Sequence, residues 1–204
     1  MVGYFTAIVD YGVGNLKSIS NALSYIGLKS QATDDPDILD RADRIILPGV
    51  GAFPDAAKRL RESGLDQVVR LAAQGKPVLG ICLGMQLLFD WGEEGAHCNG
   101  LGLVSGCVRR IETMQKLPHI GWNQLEFPTE SQLFRGLASG SSVYFVHSYC
   151  VLPKNPETVL AVTDYGTEIV AAVGQGNVYG CQFHPEKSGE IGLQILKNFG
   201  ELNR

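Results

Sequence analysis

Pro77-Val78-Leu79-Gly80-Ile81-Cys82-Leu83-Gly84 is the stretch around which the rest of the chain organises. Pro77 to Ile81 is a short apolar run of the kind a strand covered on both faces needs, and residues 83–89 suit the helix after it. The junction has the form G-x-C-x-G. A sharp strand-to-helix turn lifts its middle side chain above the sheet edge, and the flanking glycines leave room for the close backbone approach that such a turn imposes. A helix N-terminus behind the sulfur favours its anionic form, and the Leu83 amide then lies beside the reacting carbon as an oxyanion donor. An inert cysteine after a core strand is the plain alternative. Two glycines and a strand–helix setting favour a nucleophile at Cys82.

Outward from this elbow, strand and helix alternate. Residues 2–9 are a near-continuous apolar run, read as a buried first strand. A glycine turn follows, then Leu16, Ile19, Leu23 and Ile26 at helical spacing, with Gly27 as a C-cap. Arg44-Ile45-Ile46-Leu47 reads as another core strand, stopped by Pro48-Gly49. Residues 52–60 and 65–73 read as helices. Such alternation predicts a parallel sheet with helices on both faces. The second half is mostly strand: 107–111, 124–127, 143–146, 159–163, 168–172 and 178–183. A helix at 190–199 carries Ile191, Ile195, Leu196 and Phe199 on one stripe. There is no repeat, low-complexity stretch or linker. The expected fold is α/β, a single domain over residues 1–204, with a central mixed, largely parallel sheet flanked by helices.

Composition bounds the function. The 204 residues are 45% hydrophobic and 19% charged, with 25 glycines and a net charge of −4. No basic run suggests nucleic acid or an anionic membrane surface, and no apolar run is long enough to span a bilayer. The N-terminal stretch lacks a basic leader and a small-residue cleavage site, so a strand is expected there and not a signal peptide. The cysteine count of five is odd, and no pair has Cys-x-x-Cys spacing. Free thiols in a reducing cytoplasm fit better than disulfides. No metal-ligand spacing is found, so no metal site is expected. Gly12-Val13-Gly14, with Asp34 further on, imitates a dinucleotide-binding turn, but Lys17 stands where the third glycine is needed for close helix packing. No cofactor is expected.

Phe183-His184-Pro185-Glu186 ends a strand. Proline disfavours the α region at the residue before it, so His184 should be extended. In extended chain, residues two apart face the same way, so Glu186 can hold one imidazole nitrogen. Base and orienter would then come from one short segment. Alone, this is as readily a strand-end histidine with a solvated glutamate; the G-x-C-x-G elbow raises its weight. Pro48-Gly49-Val50-Gly51 ends another core strand at the same sheet edge, where ligands of parallel sheets gather. An amide of Val50 or Gly51 is a candidate second oxyanion donor, although a simple tight turn explains the segment equally well. His147 ends an apolar strand and could line a pocket; His119 and His97 lack catalytic spacing.

Gly80-Ile81-Cys82-Leu83-Gly84-Met85-Gln86 together with Phe183-His184-Pro185-Glu186 resembles the class I (triad) glutamine amidotransferase family. Pro48-Gly49-Val50-Gly51-Ala52-Phe53, Leu117-Pro118-His119-Ile120-Gly121-Trp122-Asn123 and Phe145-Val146-His147-Ser148-Tyr149 narrow the resemblance to the glutaminase subunits of imidazole glycerol phosphate synthases, nearly end to end. The resemblance implies a flavodoxin-like fold and a triad of Cys82, His184 and Glu186 that hydrolyses L-glutamine to glutamate and ammonia. It implies oxyanion donors at Leu83 and in the Val50-Gly51 loop, whose amide is either preformed or brought in by a peptide flip on activation. Substrate glutamine is implied to meet Gly51, Gln86 and the stretch His147-Ser148-Tyr149. Asn15, Pro118, Trp122 and Lys187 are implied to face a partner, a (β/α)₈-barrel cyclase in a cytoplasmic heterodimer that uses the ammonia for histidine biosynthesis. A glutaminase subunit of another ammonia-using synthase, a stand-alone cysteine hydrolase and a non-catalytic subunit are the alternatives. The base preceding an adjacent acid argues against the hydrolase, whose usual order is nucleophile, acid, base.

Overall fold

In the computed structural model, which describes residues 4–202, the first half alternates as its apolar spacing requires. The elements are β1 (Thr6–Val9), α1 (Leu16–Tyr25), β2 (Ser30–Thr33), α2 (Pro36–Arg41), β3 (Arg44–Leu47), α3 (Phe53–Glu62), α4 (Leu65–Ala72), β4 (Val78–Ile81) and α5 (Leu83–Leu87). The second half runs β5 (Phe89–Gly92), β6 (Cys98–Asn99), β7 (Val104–Arg110), β8 (His119–Gln124), β9 (Ser142–His147), β10 (Tyr149–Pro153), β11 (Val159–Asp164), β12 (Glu168–Gln175), β13 (Val178–Cys181) and α6 (Gly189–Glu201).

A seven-stranded sheet in the order β11-β12-β13-β4-β3-β1-β2 forms the centre. From β2 to β13 neighbouring strands are parallel, and β12 and β11 add antiparallel pairs. The sheet is mixed and largely parallel, as expected. Successive residues of β1 and β3 divide between its two faces. Ala7, Val9, Ile45 and Leu47 join Phe53, Leu60 and Val69 under α3 and α4. Ile8 and Ile46 join Ile19 and Leu23 of α1 and Ile195, Leu196 and Phe199 of α6. Arg44, 3% exposed, spends its charge on the end of α6: Nε donates to the Phe199 carbonyl at 3.1 Å and Nη2 to the Leu202 carbonyl at 2.6 Å. The Phe199 carbonyl also accepts the capping Leu202 N–H at 3.3 Å, and a buried cation suits the negative end of the helix.

α1 ends as its glycine predicts. Gly27, with φ of 77°, lets Leu28 N–H return to the Leu23 carbonyl at 2.9 Å and its own N–H reach Ser24 at 3.0 Å, a Schellman stop.

Several boundaries differ from the expectation. The first strand occupies Thr6–Val9, and residues 2 and 3 lie outside the described residues. The helix after the elbow stops at Leu87, and Phe89 opens a strand. The strand expected at 124–127 is instead His119–Gln124, with only an isolated bridge from Glu126 to Val162 beyond it. β2, α2, β5, β6 and β10 carry no clear apolar period and were not foreseen. The second-half strands also divide: β10-β7-β5-β6 form a separate four-stranded sheet and β8-β9 a two-stranded one. Among the described residues no helix is long and apolar enough to cross a membrane, and all five cysteines are free thiols.

Candidate active site

Cys82 has φ of 54°, the one positive value at a non-glycine position among the described residues. Such a conformation costs about 1–3 kcal/mol and persists only where its surroundings over-determine it. Here they do. Cys82 N–H donates to the Cys181 carbonyl at 2.7 Å, continuing the β4–β13 ladder up to the turn. Beyond it the backbones lie too close for side chains. A Cβ on Gly84 would stand 1.9 Å from the Leu47 carbonyl oxygen, one on Gly80 2.6 Å from the Gly84 oxygen, and one on Gly49 2.7 Å from the Gly84 nitrogen. The glycines of the G-x-C-x-G pattern, and that of the neighbouring loop, are there because α5 packs directly on β3 and β4.

Leu83 is the first residue of α5, so its amide has no partner within the helix. Neither it nor the amides of Val50 and Gly51 meet a protein acceptor among the described residues. The three residues line one cleft with Cys82. Tyr11, which sequence reasoning passed over, holds the loop: its phenol donates to the Pro48 carbonyl at 2.8 Å. Burial, with the charge of nearby Cys82, pushes the phenol pKa well up, so it stays a donor.

His184 is extended, as proline after it requires, with φ of −100° and ψ of 97°. The next three residues are not extended. Pro185–Lys187 form a 3₁₀ turn, and it is this turn that brings Glu186 Oε1 to 2.8 Å from His184 Nδ1. The simple two-residue alternation is therefore corrected, while the contact it anticipated is present. The turn is fastened on both sides. Ser188 Oγ donates to the His184 carbonyl at 2.6 Å and accepts from Tyr144 N–H at 3.0 Å. His184 N–H donates to the Tyr144 carbonyl at 3.0 Å.

The His184 and Glu186 side chains are only 3% and 1% exposed. Burial opposes charge on the imidazole, but Cys82 and Glu186 outweigh it and raise its pKa to about 9. His184 Nε2 is buried and meets no hydrogen-bond partner in this arrangement. Cys82 is nonetheless among the groups that raise the ring's pKa, so the two lie close together.

A cleft of about 550 Å³ gathers Cys82, Leu83, Gln86, Val50, Gly51, His147, Ser148, Tyr149, His184, Pro118 and Lys187. Glu186 sits behind His184. Trp122 and Asn15 are not in the lining: Trp122 is 59% exposed on β8, and Asn15 caps α1 by accepting from Ser18 N–H at 3.3 Å. His147 has both ring nitrogens committed, Nδ1 to the Tyr149 carbonyl at 2.8 Å and Nε2 to His119 at 3.1 Å. It therefore has only its backbone to offer a ligand. Gln86 Nε2 is engaged with the Tyr149 carbonyl at 3.2 Å and Gln182 Oε1 at 3.0 Å. Gln182, fully buried, donates to Cys82 Sγ at 3.6 Å. A polar residue in the apolar run 178–183, two before the histidine, was the available signal for it. Glu94 and Arg110, also in the cleft, carried no local signal. Glu94 Oε2 accepts from Phe53 N–H at 2.7 Å, at the start of α3. Among the described residues no cluster suited to a metal ion is found.

A cysteine on a strained elbow and a histidine braced by a buried carboxylate thus share one cleft. Residues 7–201 match the family glutamine amidotransferase class-I, and this chain belongs to it. Within that class it is 50% identical over 199 residues to the imidazole glycerol phosphate synthase subunit HisH of Moorella thermoacetica, covering 97% of this chain and 95% of that one. It is 52% identical over 194 residues to the subunit of that name from Bacillus cereus, covering 95% and 92%. The fold matches the structure of PurLQS from Thermotoga maritima with a TM-score of 0.76 at 24% identity, over 96% of this chain and 97% of that one. A solved glutamine amidotransferase matches with a TM-score of 0.75 at 22% identity, over 96% and 98%.

Proposed function

We propose that this chain is the glutaminase subunit of an imidazole glycerol phosphate synthase, acting as one domain through Cys82, His184 and Glu186. The observation that carries the reading is Cys82 on its strained turn beside a His184 that Glu186 holds and charges. An imidazole with a raised pKa favours an ion pair with the thiolate, the form that attacks.

The thiolate adds to the side-chain amide carbon of glutamine. The oxyanion is met by the free Leu83 amide and by one from the Val50-Gly51 loop; losing one such donor costs roughly 10²–10³ in rate. His184 then protonates the departing nitrogen, which leaves as ammonia, and a thioester remains on Cys82. Water, deprotonated by His184, adds to the thioester and releases glutamate and the thiol. Glu186 keeps Nδ1 protonated and Nε2 turned to the reaction. Glu94 and Arg110 present opposite charges to the cleft, as an α-amino acid zwitterion requires. Gly51, the free Oε1 of Gln86 and the backbone of His147, Ser148 and Tyr149 complete the glutamine site.

Ammonia is useful only where an acceptor waits. The acceptor is read as a (β/α)₈-barrel cyclase, docked in the cytoplasm over the cleft mouth at Pro118 and Lys187, with Trp122 and Asn15 alongside. Trp122 and Ile120 expose 59% and 58% of their surface on one strand, an apolar pair that suits a protein partner. The test compares nitrogen sources with the cyclase present. In Cys82→Ala, glutamine-dependent synthesis should vanish while ammonium-dependent synthesis persists. A Cys82→Ala protein that still hydrolyses glutamine would overturn the reading.

A further inference from the structure

Behind the cleft wall lies a line of buried polar side chains, of which His119 and Gln182 take no part in the proposed chemistry. β8 and β9 pair with His119 opposite His147, and both rings are buried, 2% and 6% exposed. The His119 ring is stacked between Phe145 and Tyr165, with centroids 4.7 and 4.0 Å away. Its nitrogens are both engaged: Nε2 with Asn123 Nδ2 at 3.3 Å and Nδ1 with His147 Nε2 at 3.1 Å. His147 Nδ1 faces the Tyr149 carbonyl at 2.8 Å.

These contacts admit one protonation pattern. A carbonyl only accepts, so His147 Nδ1 carries its hydrogen and, in a neutral ring, Nε2 is bare. His119 Nδ1 must then be the donor to it. His119 Nε2 is left bare and accepts from the Asn123 amide. Every nitrogen in the row is satisfied by this pattern, and a proton added to either ring would set two N–H groups face to face.

The row continues to the nucleophile. The Tyr149 carbonyl that ends it also accepts from Gln86 Nε2 at 3.2 Å. The same Gln86 nitrogen donates to Gln182 Oε1 at 3.0 Å, and Gln182 Nε2 donates to Cys82 Sγ at 3.6 Å. Gln86 and Gln182 are 5% and 0% exposed, so neither exchanges these bonds for bulk water. Packing alone would be served better by apolar side chains. Buried polar networks are costly unless complete, and when complete they fix each member's orientation.

We propose that His119 is a positioning residue for the nucleophile: through His147, the Tyr149 carbonyl, Gln86 and Gln182 it sets the hydrogen bond donated to Cys82 Sγ. This rests on the glutaminase reading above. With the row intact, Gln182 has one rotamer that satisfies both its ends, and its N–H is aimed at the sulfur before substrate arrives. A donor so aimed stabilises the thiolate and fixes its direction of attack. If the Tyr149 carbonyl is released, Gln86 loses one anchor and Gln182 the partner that orients it.

The test uses His119→Phe, which keeps the ring stack and removes both nitrogens, and His119→Asn, whose amide keeps a donor near the Nδ1 position. Glutamine hydrolysis is measured with the synthase partner present. Alkylation of Cys82 by iodoacetamide is followed against pH, with the Cys82 peptide quantified by mass spectrometry. His119→Phe should lower kcat about tenfold with KM changed less than about twofold, a loss confined to the transition state. The midpoint of Cys82 alkylation should move to higher pH, and His119→Asn should recover most of both effects. Unchanged kcat and alkylation in His119→Phe, or equal losses in the two variants, would overturn the proposal. If His119→Phe does not fold, Gln182→Met cuts the same row at its far end. An unmoved alkylation midpoint there overturns the proposal; a raised one supports it when His119→Asn also stays near wild type. Loss of activity in Cys82→Ala alongside an unaffected His119→Phe would leave the glutaminase reading standing and remove only the positioning role.

Discussion

Glu186 Oε1 lies 2.8 Å from His184 Nδ1, in a contact that leaves 1% of the glutamate side chain open to solvent. The second carboxylate oxygen, Oε2, is buried without a partner. Glu186→Gln keeps the shape but lets the amide present either an oxygen or an NH₂ to Nδ1. It should cut glutamine turnover roughly 10²–10⁴-fold, the range of a lost general acid–base partner, with near-native folding. Steady-state kinetics together with circular dichroism check this. A loss under about fivefold would deny Glu186 its orienting role.

His184 and His147 should give stability opposite pH dependences. Burial lowers the tendency of His184 to charge, but Cys82 and Glu186 raise its folded pKa to about 9, above an unfolded value near 6.5. Its contribution is fully present below about pH 6.5 and is lost as pH rises toward 9. Burial is the main reason that His147 is lowered to about 4, against a smaller raising effect from the Tyr149 carbonyl. Its contribution is present above about pH 6.5 and is lost as pH falls toward 4. Urea denaturation across this range should show both losses. His184→Asn should flatten the alkaline limb and His147→Phe the acid limb. Identical profiles for wild type and either variant would contradict the corresponding assignment.

Tyr11 offers a way to loosen the Val50-Gly51 loop without touching the triad. Tyr11→Phe leaves the Pro48 carbonyl without its donor at 2.8 Å. The cost of an unpaired buried acceptor is about 1–3 kcal/mol. The loss should be seen in denaturant melts, and kcat should fall as the loop amides lose their placement. A variant as stable and as active as wild type would show that the phenol does not hold the loop.

Gly84→Ala should be among the most damaging small changes in the chain. The new methyl would stand 1.9 Å from the Leu47 carbonyl oxygen, backbone against backbone. Overpacking of this kind costs about 3 kcal/mol or more when no flexible side chain can give way. Gly27→Ala, with nothing within 4 Å of the added carbon but φ of 77°, should cost only about 1 kcal/mol of left-handed strain. Equal stabilities for the two variants would remove the close-packing explanation of the elbow.

What could be read from the chain depended on how locally each feature is encoded. Cys82 was legible because its glycine neighbours answer to contacts made within the same turn. The extended His184 was legible because Pro185 acts on the residue beside it. The strand at His119–Gln124 was misplaced for a physical reason: its inward residues include His119 and Asn123, which turn toward other polar groups, so the hydrophobic alternation is hidden. β2 was missed because Ser30–Thr33 is an edge strand with mostly exposed side chains. Gln182 escaped notice because its partners, Gln86 and Cys82, are about a hundred residues away in the chain.

The amino-acid order alone determined the alternating α/β half, the buried parallel strands, the glycine-flanked elbow and the histidine before a proline. Each follows from propensity, steric limits or periodicity acting over a few residues. Only the tertiary structure decided that Glu186 reaches His184 through a 3₁₀ turn, that Tyr11 holds the Pro48 loop, and that a row of hydrogen bonds runs from β8 to Cys82. The last two join segments distant in sequence, and the first needs a turn that Ser188 fastens to the Tyr144 backbone of β9, so all three depend on the packing of the sheets and not on a local pattern alone.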